Sequence, residues 1–268
     1  MTALHLGSKA AAAGYRLAAF DSTGSTNAEA LTSARAGEVG PMWFVTTEQT
    51  AGRGRRQRAW IAPRGNLASS VLEVMRVPPG TAATLGFAAG LALEAALQQV
   101  SLEARARSGI DFGFRLKWPN DVLASGKKLA GILLEAENVG DRLAVVVGIG
   151  TNVIAAPTDT PYPAASLHDL GISVSAEDLF AALSDAWIEL RGIWDDGRGF
   201  PEIRRRWLER AAGLGEPVSI RSGDSALEGV FDSIDDTGCL IVRTTDGRRV
   251  PVSAGDVYFK GVASMGAA

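Results

Sequence analysis

Apolar positions along the chain recur at two spacings, and each change of spacing marks an element. Residues 42–45 (MWFV) and 143–147 (LAVVV) are continuous apolar runs of buried-strand length, and 66–75 reads as a further strand. Residues 114–118 alternate, stop at Pro119, which has no amide to give a ladder, and resume at 122–124. Ser125-Gly126-Lys127 turns the chain, 128–137 returns, and a second turn at 138–142 leads into 143–147, which ends in Gly148-Ile149-Gly150-Thr151-Asn152. A short strand is predicted at 17–21. Helical spacing covers 28–36, closed by Gly37, and 81–100, where Leu85, Leu93 and Leu97 share a face. A longer helix is opened by Ser175 as N-cap with Asp178 three residues on, and it runs to 194 with Leu179, Leu183, Trp187 and Leu190 on one face. A shorter helix at 201–212 has proline in its first turn and Gly213 past its end. Residues 101–112 read as the end of the 81–100 helix and a loop, and 155–173 as a loop.

From Gly215 the pattern becomes five short strands separated by SGD, DDTG, TDG and SAGD turns, with Asp246-Gly247 a strong hairpin signal. The chain therefore predicts an α+β protein. A mixed β-sheet flanked by helices spans 1–213, a small SH3-like β-barrel spans 214–261, and 262–268 is a disordered tail.

Composition narrows the chemistry. A single cysteine, Cys239, excludes an intrachain disulfide and a cysteine-built zinc site, and the two histidines, His5 and His168, are far apart in sequence. The N-terminal apolar runs are short for a signal peptide, and the most apolar stretch, 85–97, is too short to span a bilayer. A cytoplasmic protein without a membrane partner is the expectation.

Residues 46–60, TTEQTAGRGRRQRAW, hang between two predicted strands. Arg53, Arg55, Arg56 and Arg58 crowd the stretch, with Gly52 and Gly54 on either side of the first. Glycine permits close backbone approach, and the guanidinium fork fits phosphate or carboxylate oxygens. Such a loop is a solvated surface segment, a nucleic-acid patch or a clamp on a small anion. With 27 basic against 30 acidic residues the chain is mildly acidic, which disfavours nucleic acid. A second polar cluster, Ser22 to Asn27, precedes a predicted helix and suits an N-cap or a ligand facing the helix amides.

Taken in order, STN, TEQTAGRGRRxRxW, KWPND, GKKLAGILLE and GIGTNV, followed by a small barrel, resemble biotin protein ligase over about residues 25–259. The resemblance implies ATP-dependent, AMP-forming activation of biotin to biotinyl-5′-AMP with Mg²⁺. Transfer to one lysine of a carboxylase's biotin carboxyl carrier domain would follow. It implies Lys128, Arg53 and Lys117 as catalytic cations, with Lys128 beside the reacting carboxylate and α-phosphate. Biotin would meet Ser25, Thr26, Asn27, Gln49, Gly52, Arg53, Trp60, Lys128, Gly131 and Leu133. The nucleotide would meet Arg53, Arg55, Arg56, Lys117, Asn120, Asp121 and Asn152, with Asp121 also placed at the metal. Trp60 and Trp118 could equally be core residues, and Asp121 a turn cap.

GIGTN lacks the third glycine and the helix of a dinucleotide fingerprint, and no Walker A lysine is present. Gln57 departs from the family's usual glycine, which bears on loop flexibility. The segment ahead of Ser25 is too short for the winged-helix domain of repressor members, so no DNA partner is expected. The oligomeric state, monomer or homodimer, stays open. The alternatives are a lipoate ligase or octanoyltransferase on the same fold, disfavoured by the GRGRR loop, and a non-catalytic nucleic-acid module.

Overall fold

The computed structural model describes residues 3–158, 160, 162–222 and 225–259, and the expected tail lies outside them. In chain order the elements are α1 (Ser8–Ala12), β1 (Arg16–Phe20), α2 (Thr26–Arg35), β2 (Met42–Thr46), β3 (Leu67–Met75), α3 (Pro79–Ala83), α4 (Leu85–Val100) and α5 (Leu102–Ser108). They continue with β4 (Arg115–Lys117), β5 (Asp121–Ala124), β6 (Lys127–Val139), β7 (Arg142–Thr151), α6 (Ala176–Trp194) and α7 (Phe200–Glu209). The last five strands are β8 (Pro217–Ser222), β9 (Ser225–Ile234), β10 (Leu240–Arg243), β11 (Arg249–Val252) and β12 (Asp256–Phe259).

Seven strands form one sheet in the order β1-β2-β3-β7-β6-β5-β4. Only β1 and β2 run parallel, because α2 crosses between them; the other neighbours pair antiparallel. Both faces of the central strands are covered. Trp43 and Val45 of β2 with Val145 and Val147 of β7 face α4 and α6, whereas Phe44, Ala144 and Val146 face Ala30, Leu31 and Ala34 of α2. A strand buried on both faces needs apolar side chains at consecutive positions, hence the unbroken MWFV and LAVVV runs. Trp43 meets Phe180 and Trp187 edge to face, at 5.5 and 6.0 Å between ring centroids.

Among the described residues one helical stretch, Pro79–Val100, is long and apolar enough to cross a membrane by length and composition, and 72% of its apolar window is buried inside the fold. It is the central core helix. Within it α3 and α4 meet at Thr84, which keeps helical backbone angles and whose hydroxyl donates to the Thr81 carbonyl at 2.7 Å and accepts from Trp194 Nε1 at 2.8 Å.

Two further expectations need correction. Residues 101–112 contain a separate helix, α5, rather than the end of the preceding one and a loop; just one of its residues, Ala104, is buried, so no apolar periodicity announced it. Strand β7 runs on through the GIGT segment to Thr151 instead of ending before it.

The C-terminal strands form a separate antiparallel sheet in the order β11-β10-β9-β8-β12, in keeping with an SH3-like barrel. A hydrogen bond from Trp118 Nε1 to the Gly238 carbonyl, 3.0 Å, ties it to the larger sheet.

Candidate active site

The start of α2, the middle of the large sheet and the loop between β2 and β3 enclose a cavity of about 410 Å³. That volume suits a small organic ligand. Its polar floor begins at α2. Ser25 Oγ accepts from the Ala28 amide, so Ser25 caps the helix and sets Thr26 and Asn27 in its first turn. Thr23, three residues before Thr26, instead bridges Gln49 and donates to Glu29 at 2.7 Å. Gln49 Oε1 accepts from the Thr26 amide at 2.9 Å. Asn27 donates to Glu135 Oε2 at 2.7 Å and to the Leu133 carbonyl at 3.2 Å, and its Oδ1 accepts from Ser70 at 2.6 Å. A methyl on Gly148 would collide with that Oδ1.

Trp60 supplies an apolar wall. Its ring lies against Gly150 and Gly131, where added side chains would strike the indole, at 3.2 Å in the case of Gly131. The glycines of the GIG segment thus make room for Trp60 and Asn27 rather than for a dinucleotide.

The arginine loop folds back on itself as a narrow hairpin. The Gly54 amide donates to the Arg58 carbonyl at 2.7 Å and the Trp60 amide to the Gly52 carbonyl at 2.9 Å, with a 3-10 turn at Arg55–Gln57 between them. Arg56 and Gln57 sit there in the left-handed region, at φ 54° and 60°.

Cations line the same cavity. Lys128 Nζ lies 2.7 Å from Asp121 Oδ1 and 5.6 Å from the Trp60 ring centroid. Lys117 Nζ stands 4.4 Å from the Tyr162 ring and 5.5 Å from that of Phe259. Burial holds the Lys117 ammonium below the ordinary lysine range, with Asp121 and Asp256 opposing the shift. Burial likewise lowers Arg55, whose Nη1 donates to Asn120 Oδ1 at 3.3 Å. Asn120 is fixed in turn to Ile132 through both of its backbone-facing bonds, 2.7 and 2.8 Å. Asn152 Oδ1 is buried in the cavity lining without a hydrogen-bond partner among the described residues. Tyr162 packs against Tyr258 of β12 at 5.4 Å, and burial raises its hydroxyl pKa well above the usual tyrosine value.

Of the residues singled out from sequence, Ser25, Thr26, Asn27, Gln49, Arg53, Arg55, Trp60, Lys117, Asn120, Asp121, Lys128, Gly131, Leu133 and Asn152 line this cavity. Gly52 and Arg56 do not. Gly52 sits behind the wall, where a side chain would collide with the Gln49 amide and the Trp60 carbonyl, and Arg56 turns away to Asp256 at 3.1 Å. The sequence reading left out Arg58, Tyr162 and Asp256 as site residues, and all three line the cavity. Arg58 was visible in the arginine run; Tyr162 and Asp256 lie in turn-like stretches that carry no periodic signal.

Among the described residues no group of three or more His, Cys, Asp or Glu side chains could hold a metal. Asp121 is a lone carboxylate, already paired with Lys128. That fits Mg²⁺ only in its common mode, with one protein carboxylate and the remaining positions filled by phosphates and water.

Two family profiles match the chain: the Biotin/lipoate A/B protein ligase family over residues 21–152 and the Biotin protein ligase C terminal domain over residues 213–260. A Biotin--[acetyl-CoA-carboxylase] ligase of Paracoccus denitrificans is 43% identical over 89% of this chain and 98% of its own. The biotin protein ligase of Aquifex aeolicus, solved in complex with biotin and ATP, superposes with a TM-score of 0.73 at 24% identity, covering 91% of this chain and 99% of that one. The Leishmania major biotin protein ligase, solved in complex with biotinyl-5-AMP, gives a TM-score of 0.59 at 26% identity, covering 90% and 98%.

Proposed function

The chain belongs to the biotin protein ligase family, and from that premise we propose how its own residues carry out biotin activation and transfer. The reaction is ATP-dependent. The biotin carboxylate attacks the α-phosphorus of ATP, pyrophosphate leaves, and the resulting biotinyl-5′-AMP passes its acyl group to a lysine amine of a carboxylase's carrier domain, releasing AMP. The match of residues 213–260 to the C-terminal domain of biotin protein ligases favours biotin over lipoate.

One observation carries the assignment of residues. Lys117, Lys128, Arg55 and Arg58 line a single cavity together with the polar side chains of Thr26, Asn27 and Gln49 and the ring of Trp60. A carboxylate and a triphosphate repel each other, so the barrier to their meeting falls when fixed cations stand where the charge concentrates. Asp121 holds the Lys128 ammonium in the cavity, aimed at the junction of acid and phosphate. Lys117 and Arg55, both partly withdrawn from water, face the phosphate end. The apolar Trp60 wall excludes water from the anhydride.

Mg²⁺ bound to the phosphates would neutralise part of their charge, with Asp121 as the nearest carboxylate. The setting is the cytoplasm, where ATP and carboxylases are found, and the acceptor is the carrier domain of acetyl-CoA carboxylase or a related carboxylase. Mixing the protein with biotin, ATP and Mg²⁺ should give biotinyl-5′-AMP by mass spectrometry, and added carrier domain should gain one biotin. Lipoyl-adenylate formed in preference, or no adenylate, overturns the assignment.

A further inference from the structure

The floor and the loop are joined through a carboxylate outside the cavity. On β6, Glu135 Oε2 accepts from Asn27 Nδ2 at 2.7 Å while Oε1 stands 4.0 Å from Arg53 Nη2. Asn27 is buried, and its other amide atom is already held by Ser70. Its orientation therefore depends on Glu135 and the Leu133 carbonyl together. Arg53 belongs to the outgoing strand of the arginine hairpin, bridged there to Ala59. We propose that Glu135 is a positioning residue that couples the head-group floor to closure of the arginine loop. This rests on the biotin ligase reading only in taking that floor as the place of the ligand's head group.

The physical content is a shared anion. One carboxylate serves a neutral amide donor in the first turn of α2 and a guanidinium on the arginine hairpin. A shift of Asn27 on ligand binding moves the oxygen pair that Arg53 sees. Loss of the Arg53 contact in turn leaves Asn27 bonded to a carboxylate free to rotate.

A plainer role would be to dock α2, since Arg35 at the other end of that helix holds Glu137 on the same face of β6 at 2.6 Å. Glu137→Gln is the control for that role. Glu135→Gln keeps an oxygen for Asn27 and removes the charge that Arg53 meets. In the protein alone, hydrogen exchange over residues 53–59 should rise about threefold or more in Glu135→Gln and stay unchanged in Glu137→Gln, as expected for a partly exposed ion pair. With biotin, ATP and Mg²⁺, Arg53→Gln and Glu135→Gln should each shorten the lifetime of enzyme-held biotinyl-adenylate. The double variant should be no shorter-lived than the worse single one, since contacting residues do not act independently. Unchanged exchange over 53–59 in Glu135→Gln, multiplying effects in the double variant, or equal behaviour of Glu135→Gln and Glu137→Gln would overturn the proposal. A wild-type protein that makes no adenylate would strike the reading of the cavity, and the exchange measurement would still decide the Glu135 contact.

Discussion

Arg58 in the arginine loop donates to Asp256 Oδ2 at 2.8 Å across nearly two hundred residues of sequence. Arg56 reaches the same oxygen at 3.1 Å. The first residue of β12 therefore clips the loop to the C-terminal sheet, and the last two residues of that strand, Tyr258 and Phe259, pack around Tyr162 and Lys117. The sheet is part of the cavity rather than an appendage to it.

Asp256→Asn should release the loop without unfolding the protein. Each pair is partly exposed, so together they contribute on the order of 1 kcal/mol. Hydrogen exchange at residues 55–58 should rise several-fold while the melting temperature barely moves. Raising the salt concentration should bring wild type towards the variant, because exposed ion pairs are screened. Equal exchange in both proteins at low salt would remove Asp256 from this role.

Lys128→Ala should slow adenylate formation by roughly 10²–10³, the scale of losing one fixed electrostatic stabiliser. It also takes the direct ion-pair partner from Asp121, whose side chain is only 16% exposed, and leaves that carboxylate beside the two reacting anions. Lys128→Ala with Asp121→Asn should therefore recover part of the loss, as a single-turnover assay of biotinyl-adenylate would reveal. Near-wild-type rates in Lys128→Ala would exclude it from the reaction.

Much of this was legible in the residues, and the rest failed for identifiable reasons. Buried strands announced themselves because covering both faces demands unbroken apolar runs. The seven-strand order did not, since the β3–β7 pairing joins segments 67 to 151 with three helices between them. Helix α5 was silent because it buries one residue. Within the site, charge and glycine clustering pointed to the loop and to Lys128. Nothing in the local sequence at Tyr162 or Asp256 distinguishes them from turn residues; only tertiary packing brings them to the cavity. The GIG glycines have a steric reason that local sequence does not show, the bulk of Trp60 and Asn27 beside them.

Gln57 holds a left-handed conformation directly after Arg56, which does the same. Left-handed backbone costs a residue with a Cβ about 1 kcal/mol and glycine little. Gln57→Gly should therefore keep the hairpin and hold biotinyl-adenylate at least as long as wild type. Gln57→Val, β-branched at positive φ, should distort the turn and shorten that lifetime about tenfold. Adenylate release followed in a chase with unlabelled biotin tests both; a longer lifetime in the valine variant would refute the strain argument.

Lys117 predicts a pH signature. Burial disfavours its charged form, so its folded pKa lies below the ordinary value of 10.5 that it has in the unfolded chain. Between those two values the unfolded chain binds more protons, so the cost of burying the ammonium is present in full below the folded pKa and is relieved as pH rises towards 10.5. Stability from this group thus increases with pH across that window. Function runs the other way. The ammonium attracts the triphosphate and the free amine does not, so KM for ATP should climb on the alkaline side before an ordinary lysine would titrate, with KM for biotin nearly flat. Lys117→Arg keeps its charge throughout, because a guanidinium stays protonated. Its KM for ATP should lose that alkaline rise even if its kcat is lower. Superimposable profiles for the two proteins would show that Lys117 does not meet the phosphates.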